Sequence, residues 1–105
     1  MSRPLVVLCT IGDAAAAEAL ARDLVEARVA ACVNVTGPIS SIYRWQGEIQ
    51  RDDERLLVIK TSEDRFEALR EAIVARHPYE VPEIVALPIV AGHAPYLAWL
   101  GESLG

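Results

Sequence analysis

The chain has 105 residues, 52% of them hydrophobic, and a net charge of -5. That length and apolar content predict one globular domain over residues 1–105 and exclude a disordered chain. The acidic balance argues against a nucleic-acid partner, because phosphate contacts need a basic surface. No apolar run approaches the ~20 residues that span a bilayer, so no membrane partner is expected.

The N-terminal "MSRPLVVLCT" is a short apolar run with no signal-cleavage pattern after it. It predicts a mature chain starting near Met1 and a cytoplasmic protein. "PLVVLCT" is apolar and β-branched, which reads as a buried strand from about Arg3 to Thr10. Gly12 and Asp13 then punctuate, with Asp13 the N-cap of an Ala-rich helix whose stripe is Ala17, Leu20, Leu24 and Ala27.

In "ACVNVTGPISSIYRW", Val33 and Val35 alternate with Cys32, Asn34 and Thr36. Gly37-Pro38 interrupts this run as a bulge or kink, since proline cannot donate to a central ladder. A turn at Gln46-Gly47 leads back, predicting a long hairpin of Ala31–Trp45 paired with Glu48–Thr61. Thr61-Ser62-Glu63-Asp64 supplies a capping pattern for a second helix, with Phe66, Leu69 and Ile73 on its buried stripe. Arg76-His77 ends that helix, because the residue before Pro78 is pushed out of the helical region. "EIVALPIVAG" reads as the last strand. A short helix begins at Pro95, with Tyr96, Trp99, Leu100 and Leu104 on one side.

The order β-α-β-β-α-β plus a final helix is the split βαβ of an α+β, ferredoxin-like fold. Right-handed crossovers set an antiparallel sheet in the order 4-1-3-2, with a long hairpin between the second and third strands. Both long helices must then share one face of the sheet. Yet "LVVL", "LLVI" and "IVALPIV" are apolar on both faces, as only doubly covered strands usually are. A strand of about fifteen residues would also reach ~50 Å, well past its neighbours. An arm carrying Ile42, Tyr43, Trp45 and Ile49 into solvent calls for another chain to receive it. A homo-oligomer follows.

The same topology brings Cys9, at the end of the first strand, close to His77, just before the last. Cys32 starts the second strand at the opposite end, which excludes a Cys9–Cys32 disulfide within one chain. A thiolate and an imidazole are ligands that copper and zinc prefer, and Glu80, Glu83, a second subunit or water would complete the set. The simpler alternatives stay open: His77 serving the free carbonyls of a helix end, and Cys9 as a small buried hydrophobe. No Gly-rich phosphate loop, GxSxG elbow or HExxH is present. A Cys–His nucleophile pair has no third residue to orient it. His93 in "AGHAP" reads as structural, the run Asp52-Asp53-Glu54 as a solvated strand face, and Trp45 and Trp99 as interface anchors.

"VVLCT", "ARVAACVNV", "SIYRWQGEI", "LLVIKT", "HPYEVPEI" and "YLAWL" together resemble the CutA divalent-cation tolerance family, collinearly from about Leu5 to Leu104. The resemblance implies a ferredoxin-like homotrimer with hairpins packed between subunits. It also implies a cytoplasmic protein tied to tolerance of copper and other divalent cations, with no enzymatic activity. Copper ligation in that family is ascribed to the cysteine of "LCT" and two adjacent histidines before "PY". Cys9 and His77 match the cysteine and the second histidine, which makes them the expected metal ligands. Arg76 holds the first histidine position, and a guanidinium cannot ligate a metal. The family is similar in architecture to the trimeric PII-type signalling proteins. The alternative reading is therefore a signalling or scaffold trimer that binds an effector or partner protein in clefts between subunits, with Tyr79, Glu80 and Glu83 facing the ligand.

Overall fold

Strand β1 (Pro4–Ile11) alternates without a break between half-buried and buried positions, and turns Leu5, Val7, Cys9 and Ile11 into the core. The computed structural model describes residues 2–105, so the expected start at Met1 lies outside the described residues. Helix α1 (Ala14–Glu26) begins where the Asp13 carboxylate accepts the Ala16 N–H at 2.8 Å. That bond satisfies one of the free donors of the first turn. Ala17, Leu20, Ala21 and Leu24 form its buried face. Ala27, expected on this stripe, is exposed, because the helix ends at Glu26 and Arg28 turns the chain with a left-handed φ of 58°.

The expected second strand is two strands, β2 (Cys32–Val35) and β3 (Ile39–Trp45). Pro38 has no N–H to give a ladder, and Thr36 takes over the pairing. Its N–H donates to the Leu56 carbonyl and its hydroxyl accepts the Leu56 N–H, both at 3.0 Å. Strand β4 (Glu48–Ser62) runs along both pieces. Gln46 and Gly47 join β3 to β4 with φ of 51° and 83°. Two successive positive φ values make the tight turn whose twist matches paired strands.

A 3-10 turn (Glu63–Arg65) then precedes helix α2 (Phe66–Arg76). The capping pattern expected over Thr61-Ser62-Glu63-Asp64 does not cap the helix, since the Thr61 hydroxyl donates to the Val29 carbonyl at 2.7 Å and the Ser62 hydroxyl bonds the Asp64 carboxylate. Strand β5 is Val85–Pro88, much shorter than the ten residues of "EIVALPIVAG". Pro88 donates nothing, and past it one bond continues, from the Ile89 N–H to the Pro4 carbonyl at 3.1 Å. Helix α3 (Ala94–Ser103) carries its proline in the first turn, as expected.

The sheet order is β2-β4-β1-β5, with β3 also on β4, and every pairing is antiparallel. Helices α1 and α2 cover one face, where Val7, Cys9, Leu57, Ile59, Leu24, Leu69 and Ile73 pack together. On the other face α3 closes a small cluster of Leu100, Leu104 and Ala31. Pairing puts Val85 beside Leu8 and Leu87 beside Val6 on that open face, and Val85 and Leu87 stay 49% and 51% exposed. The β3–β4 arm lies open too: Ile42 is 71% and Ile49 62% exposed.

Candidate functional site

Cys9 and His77 meet at one atom, the carbonyl oxygen of Thr10. Strand β5 ends its pairing with β1 at Leu8, so beyond that point the β1 edge has no strand to bond it. His77 fills the place. It is the C-cap of α2, with its N–H on the Ile73 carbonyl, and its extended backbone (φ -76°, ψ 136°) turns the chain toward β1. The ring, 8% exposed, has Nε2 at 2.8 Å from the Thr10 oxygen. The Tyr79 N–H donates to Nδ1 at 3.1 Å. An amide can only donate, so Nδ1 is the acceptor and Nε2 carries the proton to Thr10. Both imidazole nitrogens are therefore engaged.

Cys9 Sγ makes a weak bond to the same carbonyl at 3.8 Å. Its thiol is fully buried and its pKa is pushed up to about 12, first by that burial and then by the charges of Glu83 and Glu54. At neutral pH the sulfur keeps its proton, and only the thiolate is a good metal ligand. Among the described residues no three His, Cys, Asp or Glu side chains stand together as a ready metal site. A cation can use this pair only by displacing a proton from Cys9 and freeing a nitrogen of His77. Arg76 faces outward, with an ion pair to Asp23 on α1 at 3.4 Å and a bond to the Ala72 carbonyl. Both cysteines are free, and Cys32 lies at the far end of β2, opposite Lys60.

Beside the Thr10 carbonyl opens a cleft of about 550 Å³ between the arm and the loop after His77. Tyr79 forms one wall: its ring sits edge-on to His77 with centroids 4.5 Å apart, and its hydroxyl donates to Glu54 Oε2 at 2.7 Å. Gly12 makes room for that hydroxyl, since a Cβ there would stand 3.1 Å from it. Tyr43, on the arm, donates to Asp52. Trp45, Glu80 and Glu83 also line the cleft.

Of the cleft residues, sequence reasoning singled out Tyr79, Glu80 and Glu83 but not Thr10, Tyr43, Asp52 or Glu54 in any binding role. Glu54 corrects the reading of Asp52-Asp53-Glu54 as a solvated face: it is only 6% exposed. Its hydrogen-bond partner is Tyr79, 25 residues away, so no local pattern announces it.

A family model described as "CutA1 divalent ion tolerance protein" matches residues 5–103. The chain is 52% identical over 100 residues to the divalent-cation tolerance protein CutA of Thermus thermophilus, across 95% of this chain and 97% of that one. It is 44% identical to the chloroplastic CutA of Arabidopsis thaliana, of whose length it spans 54%. The solved structure of the Thermus thermophilus protein superposes with a TM-score of 0.95 at 51% identity, covering 97% of this chain and 99% of that one. A structure named as the periplasmic divalent cation tolerance protein of Archaeoglobus fulgidus gives 0.94 at 33% identity, covering 97% and 99%.

Proposed function

This chain belongs to the CutA1 divalent ion tolerance family, and from that premise we propose that it is a non-enzymatic homotrimer that binds divalent cations, copper foremost. The observation that carries the site is the meeting of Cys9 and His77 at the Thr10 carbonyl, with Glu83 and Glu54 close enough to act on the thiol. Cys9 and His77 are the proposed ligands, and Glu83 is the carboxylate available to complete the set. Binding at this pair releases the Cys9 proton, so affinity falls as pH falls. It also favours a thiophilic ion, since a soft metal gains most from a thiolate. Free cysteines suit a reducing compartment, and the cytoplasm is the proposed location. The half-exposed Val85 and Leu87 and the apolar arm support assembly, because a lone subunit would leave a continuous apolar surface in water.

The test is copper titration of the reduced protein against a competing chelator. Cys9→Ser and His77→Ala should each weaken binding by about tenfold or more. Equal binding in wild type and both variants removes these two residues as ligands. Light scattering at micromolar concentration should give the mass of three chains, and a monodisperse monomer rejects the assembly.

A further inference from the structure

We propose that Tyr79 is a positioning residue for the β3–β4 arm: through Glu54 it fixes the angle at which the arm leaves the sheet, and so presents the arm to a second copy of this chain. Its role toward a second copy rests on the assembly proposed above, whereas its hold on the arm does not.

The arm has a defined root. Strand β4 keeps β1 beside it as far as Arg55, opposite Ile11, and from Glu54 outward it is paired with β3 alone. On the opposite edge of β4 the ladder is interrupted at Gly37 and Pro38, so β2 and β3 do not form one continuous strand. The arm is therefore a two-stranded ribbon carried on β4, and such a ribbon has little stability or fixed direction of its own. The bonds of Tyr43 to Asp52, Arg44 to Gly47, and Arg51 to Ser40 and Asp53 all stay within it. Among the described residues one side-chain bond ties it to the rest of the fold, from the Tyr79 hydroxyl to Glu54 at 2.7 Å.

That bond meets the arm at its root, and Tyr79 is itself held. Its N–H is on His77 Nδ1 and its ring stands edge-on to the His77 ring. His77 is bound in turn to α2 and β1 through the Ile73 and Thr10 carbonyls. Pro78 and Pro82 restrict the backbone on both sides. Burial and the neighbouring Glu54 raise the Tyr79 hydroxyl above its ordinary pKa, so it keeps the proton it donates. Contacts thus run unbroken from helix and sheet to Glu54, which is buried where Asp52 and Asp53 are exposed. Leverage makes the hold consequential. Seven residues at about 3.3 Å each put the tip roughly 23 Å away, so a rotation of about 10° at the root moves Trp45 by roughly 4 Å. Interfaces packed at interior density do not absorb a shift of that size. A partner that receives Ile42, Trp45 and Ile49 gains from finding them already in place, since ordering a free arm on contact costs affinity.

The experiment follows hydrogen exchange by mass spectrometry in residues 39–54, together with light scattering over a dilution series. Tyr79→Phe and Glu54→Leu should speed exchange in the arm about tenfold, as loss of one charge-assisted bond does. Both should also dissociate at about tenfold higher protein concentration than wild type. Glu54→Gln, whose amide oxygen still accepts the Tyr79 hydroxyl, should behave as wild type in both measurements. Ile59→Val thins the sealed core without touching the arm and should leave arm exchange unchanged, which separates positioning from a general loss of stability. Wild-type arm exchange in Tyr79→Phe, or an equal rise in Ile59→Val or Glu54→Gln, would overturn the hold on the arm. Faster arm exchange with an unaltered dissociation midpoint would overturn the role toward a second copy. A wild type that stays monomeric at every concentration removes the assembly and that role with it, and the exchange rates then still decide the hold by Tyr79.

Discussion

Val7 and Cys9 alternate along β1 with Val6 and Leu8, and the two pairs face opposite sides of one sheet. Val7 and Cys9 are sealed beneath α1 and α2, whereas Val6 and Leu8 lie beside Leu87 and Val85, which remain half exposed. Side-chain chemistry does not account for the difference, because both faces are built from valine, leucine and isoleucine. The number of covering elements does. Two helices of 13 and 11 residues cover one face, and a single helix of ten covers only one end of the other. A face made apolar and left open supports the proposed assembly, and the arm beyond it has the same character.

The largest effect should come from breaking the sealed face. Leu57→Ala, at a position without exposed surface, should cost about 2–5 kcal/mol, measured by denaturant unfolding. Leu87→Ser on the open face should cost far less in the subunit itself but shift the assembly toward smaller species in sedimentation. Both measurements need one fixed protein concentration, since an oligomer's stability depends on it. An unchanged mass in Leu87→Ser would mean that no partner covers this face.

A smaller contrast sets the two tyrosine–carboxylate pairs against each other. Tyr79→Phe strips the buried Glu54 of its only donor among the described residues and should cost about 1–3 kcal/mol. Tyr43→Phe acts on the exposed Asp52, which water can resolvate, and should stay within about 0.5 kcal/mol. Equal costs would break the distinction between a buried wall and a solvated one.

The last test is pH. Cys9 titrates at about 12 in the folded chain, against 9.0 for the ordinary thiol. The folded state therefore holds the proton that the unfolded state loses, and stability is fully present below pH 9.0 and falls as pH rises toward 12. The slope in that window should approach about 1.4 kcal/mol per pH unit. Cys9→Ala should flatten this part of the profile, and an unaltered alkaline slope would show that the thiol is not the group responsible.

Local pattern made β1, the three helices and the arm legible, since periods of two and of 3.6 are written within a few neighbouring residues. The shortfalls have equally local causes that the pattern did not resolve. Pro38 splits a strand outright where a kink was expected, and Pro88 limits β5 to four residues. In the site, adjacency of Cys9 and His77 followed from topology. The state of that pair did not, because it depends on the Thr10 carbonyl and the Tyr79 amide arriving at the two ring nitrogens.

By itself the sequence determined the element order, the doubly apolar strands and the family, because these rest on residue type and spacing along the chain. Only the tertiary structure decided that His77 spends both nitrogens on backbone, that Cys9 keeps its proton, and that Glu54 is buried against the Tyr79 hydroxyl. Burial and hydrogen bonding are properties of what surrounds a group. For His77 and Glu54 those surroundings come from segments 67 and 25 residues away in the chain.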